Sequence, residues 1–178
     1  IFASIMQDDL STLLVAVDSE QYVGYAHIIL SAPPPCVTGP SPIELARLYL
    51  RQSVIGKGYG AALMRAVHRV AMQRRCQTIW LGVYGRNERA RDFYRRWGFV
   101  DVGTKAFVFG GCSYDDPVMA APVRIETGSG DVTVRGGARE LLVDTASGDV
   151  RVAGEALAVV EADTASGDIT LDAGADRV

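Results

Sequence analysis

The sequence predicts an α/β (α+β) domain over residues 1–120, three layers with a mixed central sheet between helices, followed by an all-β, solenoid-like repeat segment over residues 123–178. Three observations predict this. The run Val54-Ile55-Gly56-Lys57-Gly58-Tyr59-Gly60 joins a strand-patterned stretch, Ile43 to Leu50, to a stretch with Leu63, Val67 and Val70 at the spacing of one helix face. A second unit of the same kind follows, a strand over Thr78 to Tyr84 and a helix over Asn87 to Trp97. From Val123 the motif T-x-S-G-D then recurs, with aspartates at 131, 149 and 168 and alternating residues such as Val132-Thr133-Val134 behind them. Repeats of this near-equal length stack as turns of a solenoid.

Taken in order, Ile1 to Leu10 reads as the tail of a helix whose beginning is absent, so the chain reads as a fragment. Thr12 to Asp18 and Tyr22 to Leu30 alternate as strands joined by a short turn over Ser19, Glu20 and Gln21, a hairpin signal. Ser31 to Pro42 is a loop, because its prolines supply no donors to a sheet ladder. Ala61 to Gln73 is the helix after the glycine run, with His68 on its polar side. Asn87 is a suitable N-cap for the second helix. Val100 to Val102 and Ala106 to Phe109 close the sheet.

Composition narrows the class. The 178 residues are 48% hydrophobic and 22% charged, enough for one substantial core or two small ones. No apolar run approaches the roughly 20 residues of a membrane helix, and no basic-then-apolar leader is present, which points to the cytoplasm and away from a membrane. The net charge of −3 hides an asymmetry: residues 1–121 hold 13 Lys/Arg against 10 Asp/Glu, residues 122–178 hold 5 against 11. The shift marks a domain boundary. The basic excess of the first part suits a polyanionic cofactor and has no nucleic-acid footprint. Cys36, Cys76 and Cys112 are odd in number and scattered, which suits reduced thiols rather than disulfides or a metal site. The repeat aspartates raise calcium as an alternative, but the Gly-Gly-x-Gly-x-Asp spacing is absent and Gly-Asp is a common turn.

Strand, glycine loop and helix together make an anion cradle: glycines let the backbone turn with its N–H groups pointing one way, and the new helix adds unpaired N–H groups and its dipole. A diphosphate is the natural guest. The nucleotide-hydrolysing P-loop needs Gly-Lys followed by Ser or Thr, whereas Lys57 precedes Gly58. Gly56, Gly58 and Ala61 do match the alanine form of the dinucleotide pattern, but that pattern wants an acidic residue ending the next strand, and Thr78-Ile79-Trp80-Leu81-Gly82-Val83 supplies none. A nicotinamide cofactor is the second reading.

The loop, taken with Asn87-Glu88-Arg89-Ala90-Arg91-Asp92-Phe93-Tyr94-Arg95-Arg96-Trp97-Gly98-Phe99, resembles the GNAT superfamily of acetyl-CoA-dependent N-acetyltransferases, whose signatures run Q/R-x-x-G-x-G/A and N-x-x-A-x-x-F-Y-x-x-x-G-F in this order. The resemblance covers residues 1–120 and implies acetyl-CoA as donor, CoA as product and a primary amine as acceptor, on a small molecule or a protein. In that family the hairpin follows a first strand and two helices that wall the acceptor side; here those elements read as missing or cut short. The tail Phe107 to Met119 resembles bacterial polyamine N-acetyltransferases, with Gly111, Cys112 and Ser113 where most of that tail's acidic positions fall.

The resemblance also assigns roles. The strand before the loop splays at a bulge, and free N–H groups of Leu48 and Leu50, flanking Tyr49, hold the acetyl carbonyl and pantetheine; Gly56, Lys57, Gly58, Tyr59, Gly60 and Ala61 take the diphosphate. Ile55 stands where the family has Gln or Arg, which weakens but does not abolish binding. Asn87 holds the pantetheine arm, beside its N-cap role. Tyr94 protonates the departing sulfur, against the alternative of an aromatic core residue with Phe93 and Trp97. Glu44 is a general base, directly or through water, against the alternative of an edge-exposed carboxylate. His27 reads as a satisfied sheet histidine. The C-terminal repeats resemble adhesin-like β-solenoid repeats, whose uncapped edge suits self-association. Two function classes follow: an N-acetyltransferase working through a ternary complex, and a GNAT-like core without catalysis, joined to a β-repeat as a binding or assembly module.

Overall fold

The computed structural model describes residues 9–109, 112–127, 131–135, 140–154 and 159–173; the predicted helix tail at the N-terminus falls almost wholly outside them. The chain divides into two compact units, Ile1–Ala121 and Pro122–Val178.

The first unit opens with a hairpin, β1 (Ser11–Asp18) and β2 (Gln21–Ile29). Its two-residue turn has Ser19 at φ 45° and Glu20 at φ 70°. Two successive positive φ values give the turn whose twist matches that of the flanking strands. Strand β3 (Pro42–Leu50) pairs antiparallel with β2, then a 3₁₀ turn (Gln52–Val54) and the glycine run lead into helix α1 (Tyr59–Gln73). Strand β4 (Thr78–Gly82) follows, then helix α2 (Glu88–Arg96), β5 (Val100–Phe109) and β6 (Cys112–Pro122). The six strands form one mixed sheet in the order β1-β2-β3-β4-β6-β5.

Three readings change here. Val100–Phe109 is one strand, not two; a register shift between Asp101 and Gly103 absorbs the irregularity that Gly103 introduces. Strand β6, not expected from the sequence, inserts between β4 and β5, and its Pro117 carbonyl accepts the Val83 N–H at 3.0 Å. His68 is buried at 3% exposure, stacked on Trp97 with ring centroids 5.7 Å apart. The buried face of α1 is Leu63, Met64, Val67, His68 and Ala71, rotated from the predicted stripe so that Val70 is half-buried.

The core lies on both sides of the sheet. Ala26, Ile28, Ile43, Met64, Val67 and Ile79 are essentially inaccessible, and α1 packs over β1 to β4. On the opposite face Trp80, Val118, Ala120 and Val37 form a second cluster, with Val37 contributed by the loop after β2. Arg74, at the end of α1, ties the helix to β1 by donating to Leu10 O and Ser11 O at 3.2 Å and to Thr12 Oγ1 at 2.8 Å. Where β2 passes β3, Gly24 leaves no room for a side chain: a Cβ there would sit 2.5 Å from Tyr49 O and against Leu50. Backbone cannot yield cheaply, so Gly24→Ala should destabilise the unit by about 2–3 kcal/mol, within the range for overpacking, read as a lowered urea midpoint.

The second unit is a stack of three coils: β7 (Arg124–Thr127) with β8 (Val132–Arg135), β9 (Glu140–Thr145) with β10 (Val150–Gly154), and β11 (Val159–Thr164) with β12 (Ile169–Ala173). They build two three-stranded parallel sheets, β11-β9-β7 and β12-β10-β8, with Val132, Val150 and Ile169 in register. The repeat motif makes the corner. Asp149 N–H donates to Asp131 Oδ1 at 3.0 Å and Asp168 N–H to Asp149 Oδ1 at 3.1 Å, a carboxylate ladder from coil to coil. Within a corner, Thr145 Oγ1 donates to Ser147 O and Thr164 Oγ1 to Ser166 O, both at 3.1 Å. Gly167, at φ 135°, approaches the Gly148 carbonyl so closely that a Cβ would collide with it. The spacing of 18 to 19 residues is therefore one full coil, and two of the aspartates that suggested calcium, Asp131 and Asp149, accept backbone N–H groups.

Candidate active site

Strand β3 sets the site. Its pairing with β2 skips Ala46: Leu45 faces Ile28 and Arg47 faces His27, so β3 carries a bulge there. Its parallel pairing with β4 covers Pro42, Ile43 and Glu44 against Thr78, Ile79 and Trp80 and stops. Beyond Glu44 the two strands diverge, opening a wedge with its vertex at the Glu44–Trp80 pair. Arg51 N–H donates to Val23 O at 2.8 Å, toward β2; because successive backbone N–H groups on a strand alternate in direction, those of Leu50 and Leu48 point to the β4 side, into the wedge. These are the two residues expected to hold the acetyl carbonyl and pantetheine.

The glycine run follows at the end of β3. Gly56 and Gly58 have φ of 86° and 90°, values that L side chains rarely adopt, and a Cβ on either would meet nothing within 4 Å, so the space above them is open. Gly58 is the N-cap of α1, and its carbonyl accepts the Ala62 N–H at 3.0 Å. The N–H groups of Tyr59, Gly60 and Ala61 precede the first intrahelical bond and have no backbone acceptor among the described residues. No acidic residue sits in that first turn, and Lys57 is exposed beside it. The result is a cationic, donor-rich cradle. Tyr59 does something the sequence did not signal: its hydroxyl hydrogen-bonds to Asp18 at the β1–β2 turn, which pushes the phenol's pKa up and ties the cradle to the hairpin.

Helix α2 brings the remaining residues. Asn87 caps it, with Oδ1 accepting the Ala90 N–H at 3.2 Å, which leaves the amide NH₂ as a donor facing outward from the cap. Tyr94 is 8% exposed, packed against Phe93 and Phe99 with centroid distances of 5.5 and 5.7 Å. Burial, with a smaller contribution from Tyr49, pushes its phenol up to about 12. Phe93 closes on the cradle from the same helix turn: a Cβ on Gly60 would lie 3.3 Å from its ring and 3.4 Å from Leu50.

Glu44 stands apart from this group, half-buried at the wedge's vertex, where its Oε2 accepts the Ser31 hydroxyl at 2.5 Å. It is neither edge-exposed nor bonded to a catalytic partner. His27 is a sheet histidine, Nε2 3.2 Å from Ser11 Oγ. Cys76 is buried, and burial raises its pKa, which keeps it an unreactive thiol.

A bulged strand, a wedge beside it and a glycine cradle at the next helix are found together with the matching family. The Acetyltransferase (GNAT) family description matches residues 2–99. This chain belongs to the GNAT acetyltransferase family. Among curated relatives, an uncharacterized N-acetyltransferase of Mycobacterium tuberculosis (strain ATCC 25618 / H37Rv) is 35% identical over 118 residues, covering 66% of this chain and 71% of that protein. Among solved structures, an N-acetyltransferase from Staphylococcus aureus Mu50 superposes with a TM-score of 0.57 at 19% identity, covering 68% of this chain and 73% of that one. The PaiA N-acetyltransferase from Thermoplasma acidophilum, in complex with coenzyme A, does so with a TM-score of 0.50 at 19% identity, covering 67% and 65%. Those two likenesses concern the fold. Residues 110–177 match the Toastrack DUF4097 description, in keeping with the β-rich second unit. No helix among the described residues is long and apolar enough to cross a membrane.

Proposed function

We propose that the protein moves the acetyl group of acetyl-CoA to a primary amine by direct attack in a ternary complex. The observation that carries this reading is the wedge between β3 and β4, which opens beside the Leu48 and Leu50 N–H groups, with the anion cradle at the end of β3 and the buried Tyr94 phenol on α2. In this reading the cofactor's diphosphate lies on Gly56 to Ala61, with Lys57 alongside, and its pantetheine arm runs down the wedge past the Asn87 amide. Acetyl-CoA supplies the activated thioester. One of the Leu48 and Leu50 N–H groups polarises the carbonyl as negative charge builds on its oxygen, and the other, two residues along the strand, holds the pantetheine arm. Glu44, at the wedge's vertex, accepts the amine's proton through water, and Tyr94 donates a hydrogen bond to the sulfur as the C–S bond breaks.

In this reading the repeat unit stands outside this chemistry and serves self-association through its parallel sheets. The thiols of Cys36 and Cys76, both free, suit a reducing compartment such as the cytoplasm. The experiment is amine-dependent release of CoA thiol, followed together with mass by light scattering, for the full chain and for a truncation after Ala121. Thiol release in both, with fewer protomers per particle in the truncation than in the full chain, supports the reading. Release in neither, or the same number of protomers per particle in both, contradicts the corresponding half.

A further inference from the structure

On the sheet face away from α1 and α2, an open groove of about 690 Å³ is lined by Leu13, Val15, Tyr22, Val23, Gly24 and Tyr25 and, from β3, by Tyr49, Leu50 and Arg51. The register explains its form. Val15, Tyr25 and Tyr49 are successive cross-strand partners on β1, β2 and β3, so all three stand on one face. The Tyr25 and Tyr49 rings lie 5.5 Å apart, tilted by 39°. Tyr22 is 70% exposed and Tyr49 59%, so large aromatic surface remains uncovered. The groove also borders the wedge, since Tyr49 and Leu50 line it and the Leu50 N–H points into the wedge.

Its lining chemistry selects an occupant. Among the described residues that line it none is a carboxylate, and Arg51 is the charged one. A polyamine would bring further ammonium groups against a described lining that is apolar apart from a guanidinium, which repels them. A single amine on an aromatic body finds tyrosine edges and faces for its ring and a cation–π contact for its ammonium before deprotonation. We infer that this groove binds the acceptor, and that the acceptor is a primary amine on an apolar, aromatic-sized body with no second cation. The inference rests on the transferase reading above and names the substrate class of that site.

The test compares 2-phenylethylamine, spermidine and a lysine-containing peptide with the full chain at one fixed acetyl-CoA concentration, so that ratios between amines cancel effects on the donor. The expected kcat/KM for 2-phenylethylamine exceeds that for spermidine by about tenfold or more. Tyr22→Ala should raise the KM for 2-phenylethylamine about tenfold while changing that for spermidine little, and Arg51→Glu should shift the ratio several-fold toward spermidine. Preference for spermidine or the peptide in the unaltered chain, or a ratio that neither substitution moves, overturns the inference. If no amine is turned over, saturation-transfer NMR of 2-phenylethylamine decides separately. Binding that Tyr22→Ala weakens upholds the groove while the transferase reading fails; no binding to the unaltered chain overturns the groove.

Discussion

Replacing Tyr94 with phenylalanine is expected to lower kcat by roughly 10²- to 10⁴-fold while leaving the KM for acetyl-CoA within about threefold. The ring is held by Phe93 and Phe99, contacts that phenylalanine keeps, so the loss isolates the hydroxyl. A hydrogen bond to sulfur is worth most when the sulfur carries charge, so it acts in the transition state rather than on bound thioester. The pH dependence carries a further check. Burial holds the phenol protonated up to about 12, so no falling limb from Tyr94 should enter the kcat profile below about pH 10. For stability the sign is fixed by the same shift. A folded pKa above the unfolded value of about 10 contributes stabilisation that is complete below pH 10 and is lost as pH climbs through about 12. Chemical unfolding should therefore show this alkaline loss, and the Phe variant should lack Tyr94's share of it. An unchanged rate at saturating substrates would return Tyr94 to a packing role.

The second large effect is expected at the cradle. Gly58→Val should weaken CoA binding by about 100-fold or more in calorimetry. The substituted Cβ meets no protein atom, so the effect is not a clash within the fold. It comes from φ 90°, which a β-branched residue holds only at a strain of order 1–3 kcal/mol, and from a side chain projecting into the space the diphosphate needs. If the backbone relaxes instead, the N–H groups turn away from the guest. Either route removes the anion site while the helix, packed through Leu63, Met64 and Val67, stays folded. Unchanged CoA affinity, or preferential binding of a nicotinamide dinucleotide by the unaltered chain, would contradict the assignment.

How much of this was legible in the sequence depends on whether the cause is local. The glycine run was legible because Gly56 and Gly58 occupy backbone conformations that other residues avoid, and because a helix period follows at once. The solenoid was legible because each Ser-Gly-Asp corner repeats the same hydrogen bonds one coil later. Strand β6 was not: Phe107 to Met119 offered only a likeness to a family tail, and what makes Cys112–Pro122 a strand is pairing with β5 and the complete burial of Val118 and Met119. His68 looked polar by position, yet its ring is stacked on Trp97 from the end of α2, a partner 29 positions away. Gly24 carried no signal at all, since the atom that forbids its side chain is a carbonyl on the neighbouring strand. Within the site, the family motifs named Asn87, Tyr94 and the cradle. The packing of Tyr94 against Phe99 and the tie from Tyr59 to Asp18 depend on how α2 meets β5 and how the hairpin meets the cradle, which no local pattern encodes.

The central claim is that the wedge and cradle form an acetyl-CoA site, and the most direct measurement is the melting temperature of the full chain with and without acetyl-CoA. A ligand that binds the native state alone stabilises it by about 2.7 kcal/mol at a hundredfold excess over Kd, which for a unit of this size raises Tm by several degrees. The account predicts that rise for acetyl-CoA and CoA, its loss in Gly58→Val and its persistence in Tyr94→Phe. No shift with acetyl-CoA at millimolar concentration, or an equal shift in Gly58→Val, would contradict it.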